Sequence, residues 1–419
     1  MVPKGWEKRD LQGLISVKHG FAFKSDYFSD NGDMVLLTPG SFYESGGFRN
    51  QGAKTKFYNG DVPRGYLLKK GDMLIAMTEQ AEGLLGSALF VPENSKYLHN
   101  QRLGLVQIIR QERVCLEFLY LFFNAPSSRR QITEQSTGTK VKHTSPDRLC
   151  SVIGLIPPLP EQKKIAKILS TWDKAITTTE QLLANSQQQK KALMQQLLTG
   201  KKRLLDSNGV RFSGEWKKST LGNLGNTFNG LTGKTKDDFG FGKKYIPYIN
   251  IFKNSRIDLE ALDLVDVKEG EPQSLTKFGD IFFTTSSETP DEVGMSSVLL
   301  DQVDEVYLNS FCFGFRLFDF KSLLPEFARY LLRSENIRSE IAVLGQGATR
   351  YNLSKKQLMK LELVLPNINE QKKIATILFT ADQEIASLQQ KLDALKLEKK
   401  ALMQQLLTGK RRVKVEVAA

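Results

Sequence analysis

A chain of 419 residues with 40% hydrophobic and 25% charged residues has room for two or three domains with cores of their own, and is too apolar to be disordered over most of its length. Three cysteines (Cys115, Cys150, Cys312) and three histidines (His19, His99, His143) share no disulfide or metal-ligand spacing, no apolar run nears the ~20 residues that cross a bilayer, and Met1-Val2-Pro3-Lys4-Gly5-Trp6 lacks a signal-peptide core. A cytoplasmic protein without a metal is expected, and 59 Lys and Arg against 46 Asp and Glu (+13) give it an anionic partner.

In chain order, residues 1–156 carry +5 and read as a first domain. Met73–Met77 after Gly71-Asp72 is a short β run, Leu116–Asn124 a helix, and Gly138–Ser145 (Gly-Thr-Lys-Val-Lys-His-Thr-Ser) a loop leading out of the domain. Residues 157–206, at +5, read as one long helix with Pro157, Pro158 and Pro160 at its start and Gly200 where a C-terminal stop belongs. Its apolar residues alternate in steps of about four and three: Ile165, Leu169, Trp172, Ile176, Leu183, Leu193 and Leu197. That narrow stripe is a coiled-coil seam. Residues 207–365, at −1, form a second domain with β runs Tyr245–Ile251 and Ile281–Thr285, a helical stretch Pro325–Arg333 and an exit loop Gly347–Ser354 (Gly-Ala-Thr-Arg-Tyr-Asn-Leu-Ser). Residues 366–419, at +4, are a second long helix and basic tail, with the seam Ile374, Leu378, Ile385, Leu388, Leu392, Leu395, Leu402 and Leu406. Lys190 and Lys399 fall on the two seams, where a polar group costs stability but fixes register.

The two helices are copies. At a constant offset of 209, Glu161-Gln162-Lys163-Lys164-Ile165-Ala166 matches Glu370 to Ala375, and Ala192 to Lys201 matches Ala401 to Lys410; 27 of the 47 positions from Pro157 to Arg203 are identical. Weaker matches run through the domains: Trp6 with Trp216, Leu11 with Leu221, Gly71-Asp72 with Gly279-Asp280, Asn100 with Asn309, Glu117-Phe118 with Glu326-Phe327, Gly138 with Gly347 and Ser145 with Ser354. Elsewhere the halves diverge. The chain thus reads as two α/β or α+β domains, unlike in sequence, each followed by a copy of one helix, with an internal pseudo-twofold. Each seam needs a partner, and the other copy is the nearest, which predicts an antiparallel pair. About 39 helical residues at ~1.5 Å give ~58 Å, so the pair would act as a ruler between two reading heads on a split, asymmetric DNA sequence.

The Pro158–Ala166 motif (Pro-Leu-Pro-Glu-Gln-Lys-Lys-Ile-Ala), its counterpart Asn367–Ala375, the Gly-x-x-x-x-x-x-Ser exit loops, the early Trp of each half and the Gly-Asp strands resemble the specificity subunits of type I restriction–modification systems over about Trp6–Arg412. The resemblance implies two target-recognition domains reading a bipartite double-stranded DNA target, with the helices setting the separation. It also implies docking onto two adenine-methylating modification subunits and, through them, two ATP-driven restriction subunits. S-adenosylmethionine, ATP and Mg then belong to those partners, and this chain binds no cofactor. Thr144 stands where the second exit loop has Leu353, so the first loop is expected to be remodelled.

Catalytic parts are missing from the sequence. No Asn/Asp-Pro-Pro-Tyr/Phe tetrapeptide for amino methylation occurs. Phe239-Gly240-Phe241-Gly242 lacks the strand–turn–helix setting of a cofactor loop and reads as a mobile glycine loop, and Gly233-Lys234-Thr235 has Phe228 where a phosphate loop needs its first glycine. Pro146-Asp147 with Glu161-Gln162-Lys163 imitates a metal nuclease, but its Glu sits in a first helical turn, where the dipole explains it, and the second copy has Lys355-Lys356 in place of Pro-Asp. Base-reading candidates are loop residues able to face base edges. In the first domain they are Thr38, Ser41, Thr78, Glu79, Gln80, Lys140, Lys142 and His143; in the second, Asn250, Lys253, Thr285, Ser286, Glu288, Arg350, Tyr351 and Asn352. The near-neutral second domain implies that partner subunits supply part of the phosphate clamp.

Overall fold

A computed structural model describes residues 2–79, 82–138, 141–347 and 349–415. They group into two compact units, Met1–Thr179 with Lys391–Ala419, and Glu180–Gln390. The first unit is built on an antiparallel sheet in the order Ile15–His19, Leu103–Ile108, Met73–Ala76, Ala88–Phe90. Met73 and Ile75 face helix Leu116–Asn124, packing with Phe118, Leu119 and Phe122, while Leu74 and Ala76 face Leu37, Phe42 and Leu89. Both faces of this strand are covered, which is why it reads as an unbroken apolar run. Val35–Leu36 lies parallel to Tyr97–Leu98 beside it, and Glu7–Arg9 pairs with Gly154–Ile156, clamping the start of the chain to the strand that feeds the long helix.

The second unit repeats this plan where the letters have diverged. Gly225–Asn229, Cys312–Leu317, Ile281–Thr284 and Ser296–Val298 form a sheet in the same order. Tyr245-Ile246 lies parallel to Tyr307-Leu308, and Lys217–Thr220 pairs with Glu362–Leu365. Two expectations are corrected here. The run Tyr245–Ile251 is not one strand: the strand Phe239–Ile246 stops before Pro247, whose missing N–H cannot extend a ladder, and Tyr248–Lys253 is a short helix. The Phe239–Gly242 segment is not a loop either but the start of that strand, bulged between Phe239 and Lys243 with Gly240 and Gly242 at positive φ.

The long helices span Leu159–Leu197 (39 residues) and Ile368–Leu407 (40 residues). Their packing is antiparallel within each unit. In the first unit Ile165, Ala166 and Leu169, at the start of one helix, share a core with Leu402 and Leu406 at the end of the other. In the second, Ile374, Ala375 and Leu378 share a core with Leu193, Leu197 and Leu198. The two sets are related by the same offset of 209, as the duplication of the helix requires. Leu183 and Leu392 are buried, whereas Trp172, Ile176, Ile385, Leu388 and Leu395 are half-buried, as expected on a seam covered from one side. The seam lysines are paired: Lys190 Nζ lies 2.5 Å from Asp382 Oδ1, and Lys399 is bonded to Asp173, the symmetry-related couple. Sliding either helix by a turn breaks these bonds, which is how a polar seam position fixes register.

The Glu-Gln of each helix start is a double anchor. Gln162 is fully buried, donating to the Arg113 and Pro157 carbonyls (2.7 and 2.8 Å) and accepting from the Cys115 N–H; Gln371 does the same with Ser322, Pro366 and the Leu324 N–H. Glu161 accepts from the Trp6 indole (3.1 Å) and from Arg412, and Glu370 from Arg203 through Nε and Nη2 (2.6 and 2.7 Å). The first-turn glutamates therefore do more than meet the helix dipole: each ties one helix start to the residues just past the end of the other. Those ends are turned by Gly200 (φ +70°) and Gly409 (φ +67°), where a β-carbon is strained. The Pro146-Asp147 segment is a short helix capped by Ser145, and Lys234 is paired with Glu271 at 2.6 Å rather than held out toward solvent.

Candidate nucleic-acid interface

In each unit the exit loop folds back on the segment that follows the central strand. In the first, Thr78 bridges His143, with Thr78 Oγ1 3.2 Å from His143 Nδ1, and the Glu79 N–H donates to the Lys142 carbonyl at 2.9 Å. Thr137 and His143 exchange backbone bonds of 2.9 and 2.8 Å, closing the loop. Gly138 (φ +98°) makes this turn; a β-carbon there would lie 2.1 Å from the Val141 carbonyl oxygen. In the second unit Ser286 pairs with Asn352 and Ser287 with Tyr351, Gln346 pairs with Asn352, and Gly347 (φ +137°) makes the same turn. The Thr144 N–H donates to the Met77 carbonyl (2.9 Å) as the Leu353 N–H donates to the Thr285 carbonyl (2.8 Å). The Thr-for-Leu exchange therefore leaves the loop's backbone docking unchanged, against the expected remodelling.

A half-buried arginine braces the loop that follows each edge. Arg129 bonds the Gly83 carbonyl, and Arg338 bonds the Gly294, Asp291 and Val293 carbonyls at 2.6–2.8 Å. Burial pulls the Arg129 guanidinium down to about 10, against Glu79 and Glu44, so at neutral pH it stays a cation and a full donor. These positioning arginines stand 209 apart, the offset of the repeat, and that match was the signal that sets them apart from surface cations.

The site candidates separate by exposure. Glu79 and Lys142 face each other at 3.8 Å, His143, Lys253, Glu288, Arg350 and Asn352 are exposed, and Thr285, Ser286 and Tyr351 are half-buried. Ser286, Glu288 and Arg350 line an open groove of about 660 Å³ with Tyr248, Phe252 and Phe311, the Tyr248 and Phe252 rings stacked 5.8 Å apart. Thr78 is buried but bonded within the edge. Gln80 and Lys140 lie outside the described residues. Two candidates are corrected. Asn250 is buried, donates to the Asp258 and Ala261 carbonyls (2.8 and 2.9 Å) and accepts from the Asp258 N–H and from Asn254. Its amide is spent on a turn, where no base can reach it. Ser41 is likewise buried, its hydroxyl closing a capping box with Thr38. Asn250→Ala leaves those carbonyls unpaired and is expected to destabilise by about 1–3 kcal/mol with the DNA preference unaltered, as urea unfolding and a binding selection would register. Among the described residues no cluster of His, Cys, Asp and Glu could hold a metal, and no helix is long and apolar enough to cross a membrane.

The twofold repeat of one scaffold has counterparts among known proteins. The family described as the type I restriction modification DNA specificity domain matches residues 3–185 and again 213–397. The chain belongs to the type I restriction–modification specificity family. Each matched stretch takes in one domain and much of the helix after it, so the family's unit is the repeat itself. The specificity subunit of the type I restriction enzyme MjaVIII of Methanocaldococcus jannaschii is 27% identical over 321 residues, 73% of each chain. A type I restriction–modification S subunit from M. genitalium shares the fold at a TM-score of 0.57 and 15% identity, covering 97% of this chain and 96% of that one. A chain from a structure of complex assembly and conformational transition in the type I R-M system gives 0.56 at 17% identity, covering 98% and 100%.

Proposed function

We propose that this chain is the DNA-sequence-specificity subunit of a type I restriction–modification enzyme, in which each domain reads one half of an asymmetric bipartite duplex target and the helix pair fixes the spacing between the halves. The observation that carries this reading is the edge built twice from the same backbone bonds but dressed differently, with Glu79, Lys142 and His143 in one copy and Ser286, Glu288, Arg350 and Asn352 in the other. Identical scaffolds with unlike donors and acceptors are what reading two different half-sites demands. The chain performs no chemistry itself. Two modification subunits dock on it, which the duplication supports because the helix starts Glu161–Ala166 and Glu370–Ala375 offer the same six residues twice; two restriction subunits join through them. S-adenosylmethionine, ATP and Mg act in those partners, and the complex works in the cytoplasm on double-stranded DNA. The helical segments, at +5 and +4, hold most of the basic excess and support binding to an anionic assembly.

The test is a selection from randomised duplexes with the full chain, its modification subunits and S-adenosylmethionine. The methylated molecules are expected to carry two fixed blocks flanking a gap of fixed length and free sequence. Methyl transfer by this chain alone, or methylation without sequence preference, would overturn the proposal.

A further inference from the structure

A third backbone piece borders each edge. The turn between Tyr97-Leu98 and Leu103–Ile108 is capped by Asn100, whose Oδ1 accepts the Arg102 N–H at 2.9 Å; the turn between Tyr307-Leu308 and Cys312–Leu317 is capped by Asn309, whose Oδ1 accepts the Phe311 N–H at 2.7 Å. Each turn is pressed against a glycine that nothing larger can replace: a β-carbon at Gly20 would lie 1.9 Å from the Asn100 carbonyl oxygen, and one at Gly230 would lie 2.1 Å from that of Asn309. Each tip is also tied to the edge. The Met77 N–H donates to the Arg102 carbonyl (2.9 Å) and the Thr285 N–H to the Phe311 carbonyl (3.1 Å), one residue before Thr78 and Ser286. The scaffold is thus fixed by Asn and Gly in both units, and the residue it displays is not. Arg102 is exposed, and Phe311 is 64% exposed, at the mouth of the groove that Arg350 and Ser286 line.

Phe311 leaves most of its ring in water on a turn that is held in place, beside the Tyr248 and Phe252 rings of the same groove, so that its apolar surface is presented for a partner to cover. Beside a loop that presents Arg350 and Asn352, the occupant that fits is a DNA major groove, where the thymine C5 methyl is the apolar feature and guanine O6 and N7 are the acceptors a guanidinium forks onto. Building on the reading above, we propose that positions 102 and 311 are specificity-determining residues, Arg102 reading a guanine in one half-site and Phe311 packing on a thymine methyl in the other.

The experiment uses the full chain with its modification subunits, first in the randomised selection and then on single duplexes with one base altered. The first block is expected to contain a guanine and the second a thymine. Arg102→Ala should reduce the preference for that guanine by about tenfold or more and leave the second block intact. Phe311→Ala should weaken the thymine preference about fourfold, the worth of one methyl group. Changing that thymine to deoxyuridine should cost the native chain the same factor and cost Phe311→Ala nothing further. Unchanged binding of the native chain to deoxyuridine at every thymine position, an unchanged preference in Arg102→Ala, or a uniform loss across all sequences in either variant overturns the assignment of that residue. If the native chain selects no bipartite sequence at all, the broader reading fails; if it does and the variants leave both blocks unaltered, only this inference fails.

Discussion

Replacing Arg203 with alanine is expected to destabilise the Glu180–Gln390 unit by about 3–5 kcal/mol, among the largest effects of any single change in the chain. The reason lies in the residue left behind. Glu370 is fully buried at the helix start and receives two charge-assisted bonds from Arg203, at 2.6 and 2.7 Å. Among the described residues, Arg203 supplies its only side-chain donors, because the neighbouring Trp216 indole N–H makes no bond. Without the guanidinium a carboxylate stays buried and uncompensated, with the Trp216 ring also losing the cation 5.8 Å from its centre. The symmetry-related pair behaves differently: Glu161 keeps the Trp6 indole when Arg412 is removed, and the Arg412 side chain is 40% exposed, so Arg412→Ala should cost clearly less. Urea unfolding of the full chain would measure both. Substituting leucine for Arg203 and Glu370 together should recover most of the loss, since the penalty is an unpaired charge rather than missing volume. If Arg203→Ala and Arg412→Ala cost the same small amount, the helix-start glutamates are not held as described.

This contrast shows where the sequence could be read and where it could not. The duplicated helices were plain because a seam of Leu and Ile repeats with the period of a helix, and a copied Lys on each seam announced a register device before Asp173 and Asp382 were known to answer it. The strands Met73–Ala76 and Ile281–Thr284 and the helix Leu116–Asn124 were legible for the same reason, as apolar runs between turn residues. Tyr245–Ile251 misled because composition alone cannot separate a short buried strand from a short helix, and Pro247 was the overlooked divider. Site residues were harder because polarity does not announce direction. Asn250 stood among the base-reading candidates and is spent on its own turn; Arg129 and Arg338 stood outside them and brace the loops. The repeat itself held an unused signal: Asn100 matched Asn309 in otherwise divergent sequence, and each proves to be the cap that presents Arg102 or Phe311.

Removing one heptad from both helices at once, residues 177–183 and 386–392, is expected to shorten the spacer of the DNA target by about three base pairs while leaving both half-sites unchanged. Seven residues at ~1.5 Å are about 10 Å of helix, close to three steps of duplex at ~3.4 Å. The two deletions must be made together. The same number of residues separates Asp173 from Lys190 as separates Asp382 from Lys399, and these four residues form two ion pairs between the helices. Cutting both helices keeps the separations equal, so both pairs and the anchors at Glu161, Gln162, Glu370 and Gln371 can be retained. Cutting one helix alone makes the separations unequal, and one ion pair or one anchor must be lost. The single deletion should therefore lower stability and give poorly defined spacing, whereas the double deletion should give a protein of near-native stability with a new, sharp gap between the same two blocks. Sequencing of methylated duplexes after selection with each variant would read both quantities. A double deletion that retains the original gap would show that the helix pair does not set it, and one that changes the bases of either block would show that the two domains do not read independently of the helices.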